Sequence, residues 1–314
     1  MAPPFLPAAM KTQPWPNYRP DYNLSARVRI CCLGRMFAPP SRQRSEMKFL
    51  RWAGSKVQLV DTLAHCWHAA RVLTGADRYV EAFAGSAALF FELRPAKALL
   101  IDVNMRLQEC MGAVRSDPET VHAHLKLMRG DEDTYYKIRS MDPSKFSLTK
   151  RAAQFIYLNR FCFNGLYRTN RSGAFNVPFG GLRNGRIPTL EELKLASNTL
   201  QSAELLCGDF QELLASRIRK KDFIYLDPPY AMRNVNLDNQ YGPDVFGLRD
   251  IERLSDLAQL IDRKGAKFVI SYADCPEAQQ LANCWNYQRV SVQRTIAANA
   301  EHRAKASELL ITNI

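Results

Sequence analysis

The 314-residue sequence has no apolar run that approaches the roughly 20 residues needed to cross a bilayer. Its N-terminus lacks the apolar segment and small-residue cleavage site of a secretory signal. Its eight cysteines are scattered, with no Cys-x-x-Cys pair and no histidine spacing typical of a metal site. These absences predict a protein that binds neither metal nor membrane, keeps its thiols reduced, and works in the cytoplasm.

Residues 1–46 differ in composition from the rest of the chain. They hold 8 of the 17 prolines, seven Lys or Arg residues against two acids, and no sustained periodicity. This composition is typical of a disordered arm. We therefore expect a chain that begins at Met47 to keep its fold and its activity.

Acidic residues are absent from the segment 150–186, in a chain whose net charge is +12. Seven basic residues in this segment alternate with seven aromatic residues, and Asn and Gly residues separate short β-type pieces. Arg and Asn side chains read base edges in DNA, and an aromatic ring can wedge into a base step. The segment therefore predicts a hairpin or irregular loop that contacts nucleic acid. The alternative is a basic exposed hairpin over a local aromatic cluster.

Two segments predict a strand, turn and helix of the kind that binds a nucleotide cofactor. Residues 79–89 form the first unit, and the strand 99–102 ends about 20 residues later in Asp102, a carboxylate suited to ribose hydroxyls. The turn after the first strand contains one glycine, Gly85, which gives little support for a pyrophosphate site. A cofactor with an adenosine and no phosphates, such as S-adenosylmethionine, suits it better.

The run Phe223–Leu226 predicts a buried strand that ends in Asp227-Pro228-Pro229-Tyr230. Because prolines lack N–H donors, the Asp227 carboxylate and the Pro228 carbonyl can both accept hydrogen bonds from one exocyclic amine. Tyr230 offers a flat face on which a flipped base can stack. The alternative is a proline-stiffened surface turn.

Carboxylates end three predicted strands, at Asp102, Asp209 and Asp227. Ligands of open α/β sheets bind at the carboxyl ends of the strands, so these three acids are expected to meet in one crevice.

Two further segments have both a functional and a structural interpretation. Trp52 and Lys56 flank a Gly-Ser turn before a helical pattern, where they can bind a ligand or simply belong to a capped amphipathic helix. Near the C-terminus two strands flank a basic loop with Arg294, Arg303 and Lys305, which can contact phosphates or remain solvated.

Together these motifs closely resemble the Dam-type family of DNA adenine-N6 methyltransferases. The matching blocks are Phe49-Leu-Arg-Trp-Ala-Gly-Ser-Lys56, Glu81-Ala-Phe-Ala-Gly85, Ile101-Asp-Val-Asn104, Leu158–Arg168 with Gly173–Gly180, Asp227-Pro-Pro-Tyr230 and the tail Arg294–Thr312. The resemblance covers the chain from about residue 47 to its end, and the order of the motifs is that of the family.

The resemblance implies an α/β fold: a Rossmann-like methyltransferase sheet, mostly parallel, with a terminal antiparallel hairpin. It also implies an inserted, mainly helical DNA-recognition subdomain with a β-hairpin loop. We accordingly expect an arm at 1–46, a catalytic domain at 47–104 and 187–314 that binds S-adenosylmethionine, and a DNA-recognition insert at 105–186.

The resemblance also implies the functional residues. The catalytic residues are Asp227, Pro228, Pro229 and Tyr230. The cofactor-binding residues are Trp52, Lys56, Phe83, Gly85, Asp102, Asp209, Phe210 and Asp227. The DNA-contacting residues are Arg160, Phe163, Asn164, Arg168, Asn170, Pro178, Arg294, Asn299, Arg303 and Lys305. The sequence departs from the family at Ala82, usually proline, and at Ala87, often glycine, which puts the cofactor affinity in question.

The expected reaction is methylation of adenine N6 in a short duplex motif, with a GATC-like target, in a bacterial, phage or mobile-element context. Methylation of cytosine N4 is the nearest alternative, since both reactions modify an exocyclic amine. RNA or a protein amide is a weaker alternative, because the long basic insert favours DNA. A non-catalytic DNA-binding relative of the methyltransferases is the alternative outside enzymes.

Overall fold

The computed structural model of the protein describes residues 49–181, 185–230, 246–293 and 305–314. The predicted arm at 1–46, the side chains of Arg294, Asn299, Arg303 and Lys305, and most of the segment 231–248 lie outside this description. Among the described residues, no helix is long and apolar enough to cross a membrane.

The described strands form one seven-stranded sheet in the order β3-β2-β1-β4-β5-β7-β6. Their bounds are β1 Arg78–Glu81, β2 Ala98–Asp102, β3 Ala203–Cys207, β4 Asp222–Leu226, β5 Lys267–Ala273, β6 Asn286–Gln293 and β7 Lys305–Thr312. The first five strands in this order pair in parallel, whereas β7 runs antiparallel to both β5 and β6. The predicted parallel sheet with a terminal antiparallel hairpin is confirmed.

Helices cover both faces of the sheet. Their bounds are α1 Val60–Thr74, α2 Ala88–Leu93, α3 Met105–Ser116, α4 Pro118–Lys126, α5 Glu132–Ser140, α6 Leu148–Phe161, α7 Leu190–Leu200, α8 Phe210–Ala215, α9 Leu248–Arg263 and α10 Pro276–Ala282. Residues of α1 to α7 share one hydrophobic core, and residues of α8 to α10 share the other.

Strand β4 shows why both faces need cover. All five of its residues are buried. Phe223 and Tyr225 point into the first core, while Ile224 and Leu226 point into the second. Because successive side chains of a strand alternate between faces, an uninterrupted apolar run requires helices on both sides.

The segment between β2 and β3 is helical because short polar side chains start its helices. Asp117, Asp131 and Ser147 accept hydrogen bonds from the backbone N–H of the third residue of α4, α5 and α6. Apolar residues of these helices belong to the same core as the adjacent face of the sheet. Helices α4 and α6 pack on α3, which itself contacts β2 and β3, and α5 packs on α6.

The loop after α6 is only partly a hairpin. A single 3-10 turn covers Phe163–Gly165, and two isolated antiparallel bridges pair Cys162 with Phe179 and Thr169 with Phe175. The Asn170 side chain closes the tip, because its Oδ1 accepts hydrogen bonds from the backbone of Ser172 and Ala174. The predicted hairpin thus takes the form of an irregular loop with two bridges.

Candidate active site

A cleft of about 1120 Å³ opens at the carboxyl ends of the central parallel strands. The chain runs outward from β1 to β2 and β3, and then crosses to β4 on the other side of β1. Such a reversal creates the crevice in which open α/β sheets bind ligands. Asp102, Asp209 and Asp227 all line this cleft, as the strand ends predict.

Asp227 follows β4 and is held by two donors. The Lys56 ammonium lies 2.8 Å from Asp227 Oδ1, and the Ser271 hydroxyl donates to the same oxygen at 2.7 Å. The hydroxyl of Tyr225 lies 2.9 Å from Ser271 Oγ, and it donates there because the Ser271 proton is already used. Burial raises the pKa of Asp227 above its usual value, although Lys56 and Ser271 counteract this effect.

Lys56 also connects Asp227 to Tyr230. Its ammonium lies 5.2 Å from the centroid of the Tyr230 ring, within the range of a cation–π contact. Burial lowers the pKa of Lys56, but Asp227 and neighbouring groups outweigh this effect and raise the pKa above its ordinary value. Lys56 is therefore a cation beside the Asp227 carboxylate.

The turn after β1 brings the backbone close to Asp102. Gly85 has a φ of +48°, and its N–H donates to Asp102 Oδ2 at 2.8 Å, while the N–H of Asn104 donates to Oδ1 at 2.9 Å. A Cβ at Gly85 would lie 2.9 Å from the indole of Trp52. Trp52 in turn stacks on Tyr167, with ring centroids 5.9 Å apart. Only glycine fits between the Trp52 wall and the carboxylate.

Aromatic rings form another wall of the cleft. The Phe83 and Phe210 centroids lie 4.9 Å apart, and Phe246 completes the cluster at 6.1 Å from Phe83. Arg253 of α9 lies over the Phe210 ring and pairs with Asp209, the N-cap of α8. Burial raises the pKa of Asp209, but Arg253 and backbone N–H groups outweigh it and lower that pKa below its usual value.

Glu81 ends β1 inside the same cleft and was not selected from the sequence. It is 3 % exposed and accepts a hydrogen bond from the Tyr79 hydroxyl at 2.9 Å. Burial raises the pKa of Glu81 well above its usual value, and the nearby Asp227 and Asp102 raise it further. Burial and the two neighbouring carboxylates thus favour the neutral form of this carboxyl group.

Five of the predicted DNA-contacting residues lie on the loop after α6: Phe163, Asn164, Arg168, Asn170 and Pro178. Phe163 is 43 % exposed, and Asn164 beside it has a φ of +53°. The Phe163 N–H donates to the Pro178 carbonyl at 2.9 Å, and Arg168 Nε donates to Asn176 at 2.8 Å. These contacts fix the backbone at Phe163 and the guanidinium of Arg168 within the loop.

Two predicted contact residues have structural partners in this loop. Arg160 is 9 % exposed and donates to the carbonyl of Arg186 at 2.9 Å. Asn170 is exposed, but its Oδ1 holds the loop tip. Arg160 therefore supports the loop from the interior, and its expected contact with DNA stays a prediction.

Three residues around the cleft were not predicted from the sequence. They are Ser271, Arg253 and Glu308. Ser271 and Glu308 lie in strands, on β5 and β7, and Arg253 lies on α9. A charged residue within an apolar strand, as in Glu308-Leu-Leu-Ile, is a signal that could have found one of them. Among the described residues, no group of three or more His, Cys, Asp or Glu side chains could hold a metal ion.

Comparisons with known proteins agree with this geometry. Residues 52–296 match the family of D12 class N6 adenine-specific DNA methyltransferases. The chain is 31 % identical over 274 residues to the type II methyltransferase M1.LlaDCHI of Lactococcus lactis subsp. cremoris, covering 84 % of this chain and 94 % of that protein. It is 31 % identical over 284 residues to the type II methyltransferase M.MjaIII of Methanocaldococcus jannaschii, covering 84 % and 98 %. It is 33 % identical over 270 residues to a DNA adenine methylase of Haemophilus influenzae, covering 83 % and 92 %. The chain therefore belongs to the D12 class N6 adenine-specific DNA methyltransferases.

Proposed function

We propose that this enzyme transfers the methyl group of S-adenosylmethionine to N6 of an adenine flipped out of a short motif in duplex DNA. The observation that carries the proposal is the position of the Asp227 carboxylate at the carboxyl end of β4. It is held between Lys56 and Ser271, and the Lys56 ammonium also lies over the Tyr230 ring. An acceptor and a flat ring in one cleft are the features that an exocyclic amine of a base requires.

The cleft suits S-adenosylmethionine in shape and charge. The turn at Gly85 has no room for a side chain, and the cleft has an aromatic wall and several carboxylates. These features fit an adenosyl group attached to a positively charged sulfonium. We assign its binding to Trp52, Lys56, Phe83, Gly85, Asp102, Asp209, Phe210 and Asp227. When bound, it supplies an electrophilic methyl group on a sulfonium. Ala82 lines the cleft with a single methyl group, and Ala87 is buried.

Asp227 and Tyr230 perform the chemistry on the base in this proposal. The flipped adenine stacks on Tyr230, which offsets part of the few kcal/mol that unstacking costs. Asp227 and the Pro228 carbonyl accept the two N6–H bonds, orient the nitrogen and stabilise the positive charge that develops as it gains the methyl group. One N6 proton then passes to solvent, and the products are neutral N6-methyladenine and the thioether S-adenosylhomocysteine.

We assign DNA recognition to the segment 105–186. Phe163 is exposed at the loop surface and is suited to wedge into a base step, while Asn164 and Arg168 are suited to contact base edges. Asn170 and Pro178 flank them. The basic residues Arg294, Arg303 and Lys305, with Asn299, are proposed as further contacts to the DNA backbone. Residues 47–104 and 187–314 form the catalytic domain in this scheme.

A bacterial, phage or mobile-element context in the cytoplasm fits a DNA substrate and the cysteines, of which Cys66, Cys110 and Cys162 are buried free thiols. A GATC-like target is a prediction of the resemblance, and the experiment below reads the target directly.

The experiment is methyl transfer from labelled S-adenosylmethionine to a pool of random-sequence duplexes, with sequencing of the methylated positions. Wild type should place N6-methyladenine in one short motif. Asp227→Ala should abolish this transfer and leave DNA binding intact, because it removes the acceptor for N6 of the flipped base and keeps the proposed contacts of the recognition loop and the DNA backbone. Asp256→Ala, an exposed acid on α9, is the matched control and should behave as wild type.

Three outcomes would contradict the proposal. Methyl groups on cytosine N4 would assign the enzyme to the alternative base. Tight DNA binding without any transfer by wild type would identify a non-catalytic relative. Activity of Asp227→Ala within a few-fold of wild type would remove Asp227 from the catalytic role.

A further inference from the structure

Glu308 is a buried acid that the proposed reaction does not yet use. It lies on β7, opposite Ala273 of β5 and Val290 of β6, and is 7 % exposed. The three residues that follow it, Leu309, Leu310 and Ile311, are fully buried core residues. An ionised carboxylate in such surroundings is unfavourable unless it has specific partners.

The partners of Glu308 are two residues of the active site. Its Oε1 accepts a hydrogen bond from the Tyr230 hydroxyl at 2.7 Å and lies 3.9 Å from the Lys56 ammonium. The same ammonium pairs with Asp227 at 2.8 Å. Lys56 is thus shared by carboxylates from two different strands, and Glu308 contacts both the ring and the cation beside Asp227.

The second carboxylate oxygen of Glu308, Oε2, indicates that this acid does not stabilise the fold. Oε2 is buried and finds no hydrogen-bond donor in the part of the chain that the structure describes. An unpaired buried oxygen destabilises a fold, and apolar residues fill such positions without that penalty. The benefit of Glu308 therefore lies in what Oε1 contacts.

We infer that Glu308 is a positioning residue for methyl transfer, which sets the stacking ring of Tyr230 and steadies Lys56 against Asp227. A tyrosine side chain anchored only at its Cα can tilt, whereas one held also at its hydroxyl presents a fixed face to the base. Tyr230 packs edge-on against Tyr272, with centroids 5.3 Å apart, so the hydroxyl contact and the ring contact together define its orientation. This inference rests on the proposed methylation of a flipped base.

The test compares Glu308→Leu, Tyr230→Phe and the double variant with wild type and with Glu204→Leu. Glu204 is an exposed glutamate on the edge strand β3, so the control makes the same change in a strand outside the site. The measurements are the single-turnover methyl-transfer rate on a duplex that wild type methylates, the Kd of S-adenosylmethionine by calorimetry, and thermal unfolding.

Glu308→Leu removes the acceptor of the Tyr230 hydroxyl and should lower the transfer rate by about ten-fold, the scale expected when a reacting group loses its orientation. The Kd of S-adenosylmethionine should stay within about two-fold, since the hydrogen bond of Glu308 is to Tyr230 and Lys56 keeps its closer pair with Asp227 at 2.8 Å. Tyr230→Phe keeps the ring but loses the hydroxyl, so it should reduce the rate to a similar extent. The double variant should be no slower than the slower single variant, because both changes remove one contact.

Three results would overturn the inference. They are an unchanged rate in Glu308→Leu, an unchanged rate in Tyr230→Phe, and a double variant whose losses multiply. If Glu308→Leu does not fold, Tyr230→Phe still decides, because an unchanged rate without the hydroxyl refutes the positioning role. Wild type that methylates no DNA would refute the proposed function and this inference with it, whereas an active wild type with unaffected variants refutes this inference alone.

Discussion

Replacing Lys56 by glutamine should move the pH dependence of methyl transfer, because Lys56 is the charge that keeps Asp227 ionised. The ammonium lies 2.8 Å from Asp227 Oδ1, and the Lys56 side chain is 11 % exposed. Burial raises the pKa of Asp227, and Lys56 is the largest influence that lowers it. Asp227 accepts N6–H bonds best as a carboxylate, so the rate should fall as pH falls through its pKa.

The size of the effect follows from the contact distance and burial. A neighbouring opposite charge lowers the pKa of a carboxyl group by about 1–3 pH units, at about 1.4 kcal/mol for each. Lys56→Gln should therefore raise the pKa of Asp227 by that amount and move the acid limb of the pH–rate profile upward. Below the limb, the variant should be slower than wild type by about 10- to 1000-fold, and the two rates should approach each other at alkaline pH.

The assay is single-turnover methyl transfer at saturating S-adenosylmethionine and DNA across acidic to alkaline pH. Lys97→Gln is the control, because that lysine is 67 % exposed and lies 3.8 Å from the exposed Asp77. Its profile should match that of wild type, since solvent screens such a pair. A Lys56→Gln variant that loses the same fraction of rate at every pH would refute the electrostatic role and leave Lys56 with a binding role only.

Three further predictions test other parts of the site. Gly85→Ala should weaken S-adenosylmethionine binding by about ten-fold or more by calorimetry, because the new Cβ would meet Trp52 at 2.9 Å; Gly75→Ala, with a similar positive φ but open space, should leave the Kd unchanged. Glu81→Gln should gain stability over wild type as pH rises. Burial raises the folded-state pKa of Glu81, so wild type loses about 1.4 kcal/mol for each pH unit between its unfolded-state and folded-state pKa. Urea unfolding at several pH values measures the difference in unfolding free energy between this variant and wild type. A difference that stays constant with pH would contradict the prediction. Arg168→Gln should lose discrimination at one base pair by about 1–3 kcal/mol in competition binding, whereas equal weakening on every sequence would make Arg168 a phosphate contact.

The strands and the acids at their ends could be predicted, because the local sequence pattern determines both. The apolar runs before Asp102 and Asp227 are strands β2 and β4, and both acids line one cleft. Parallel pairing places the carboxyl ends of neighbouring strands at one edge, so acids at those ends must meet. The fold class and the family prediction are confirmed, while the assigned roles of individual site residues stay predictions.

The loop after α6 shows where composition alone misleads. Alternating basic and aromatic residues predict an exposed surface, and Phe163 is indeed exposed. Arg160, however, is buried, because its position on the last turn of α6 directs it beneath the loop to the Arg186 carbonyl. Charge in a sequence does not specify which side of a helix end faces solvent.

The sequence by itself determined the alternation of strands and helices, the acids at strand ends and the family to which the chain belongs. Periodicity, turn residues and ordered motifs carry that information within short stretches of chain. Only the tertiary structure decided that Lys56, Ser271 and Glu308 surround Asp227 and Tyr230, since these residues come from three distant segments. Long-range pairing of β4, β5 and β7 brings them together, and burial then raises the pKa of Asp227.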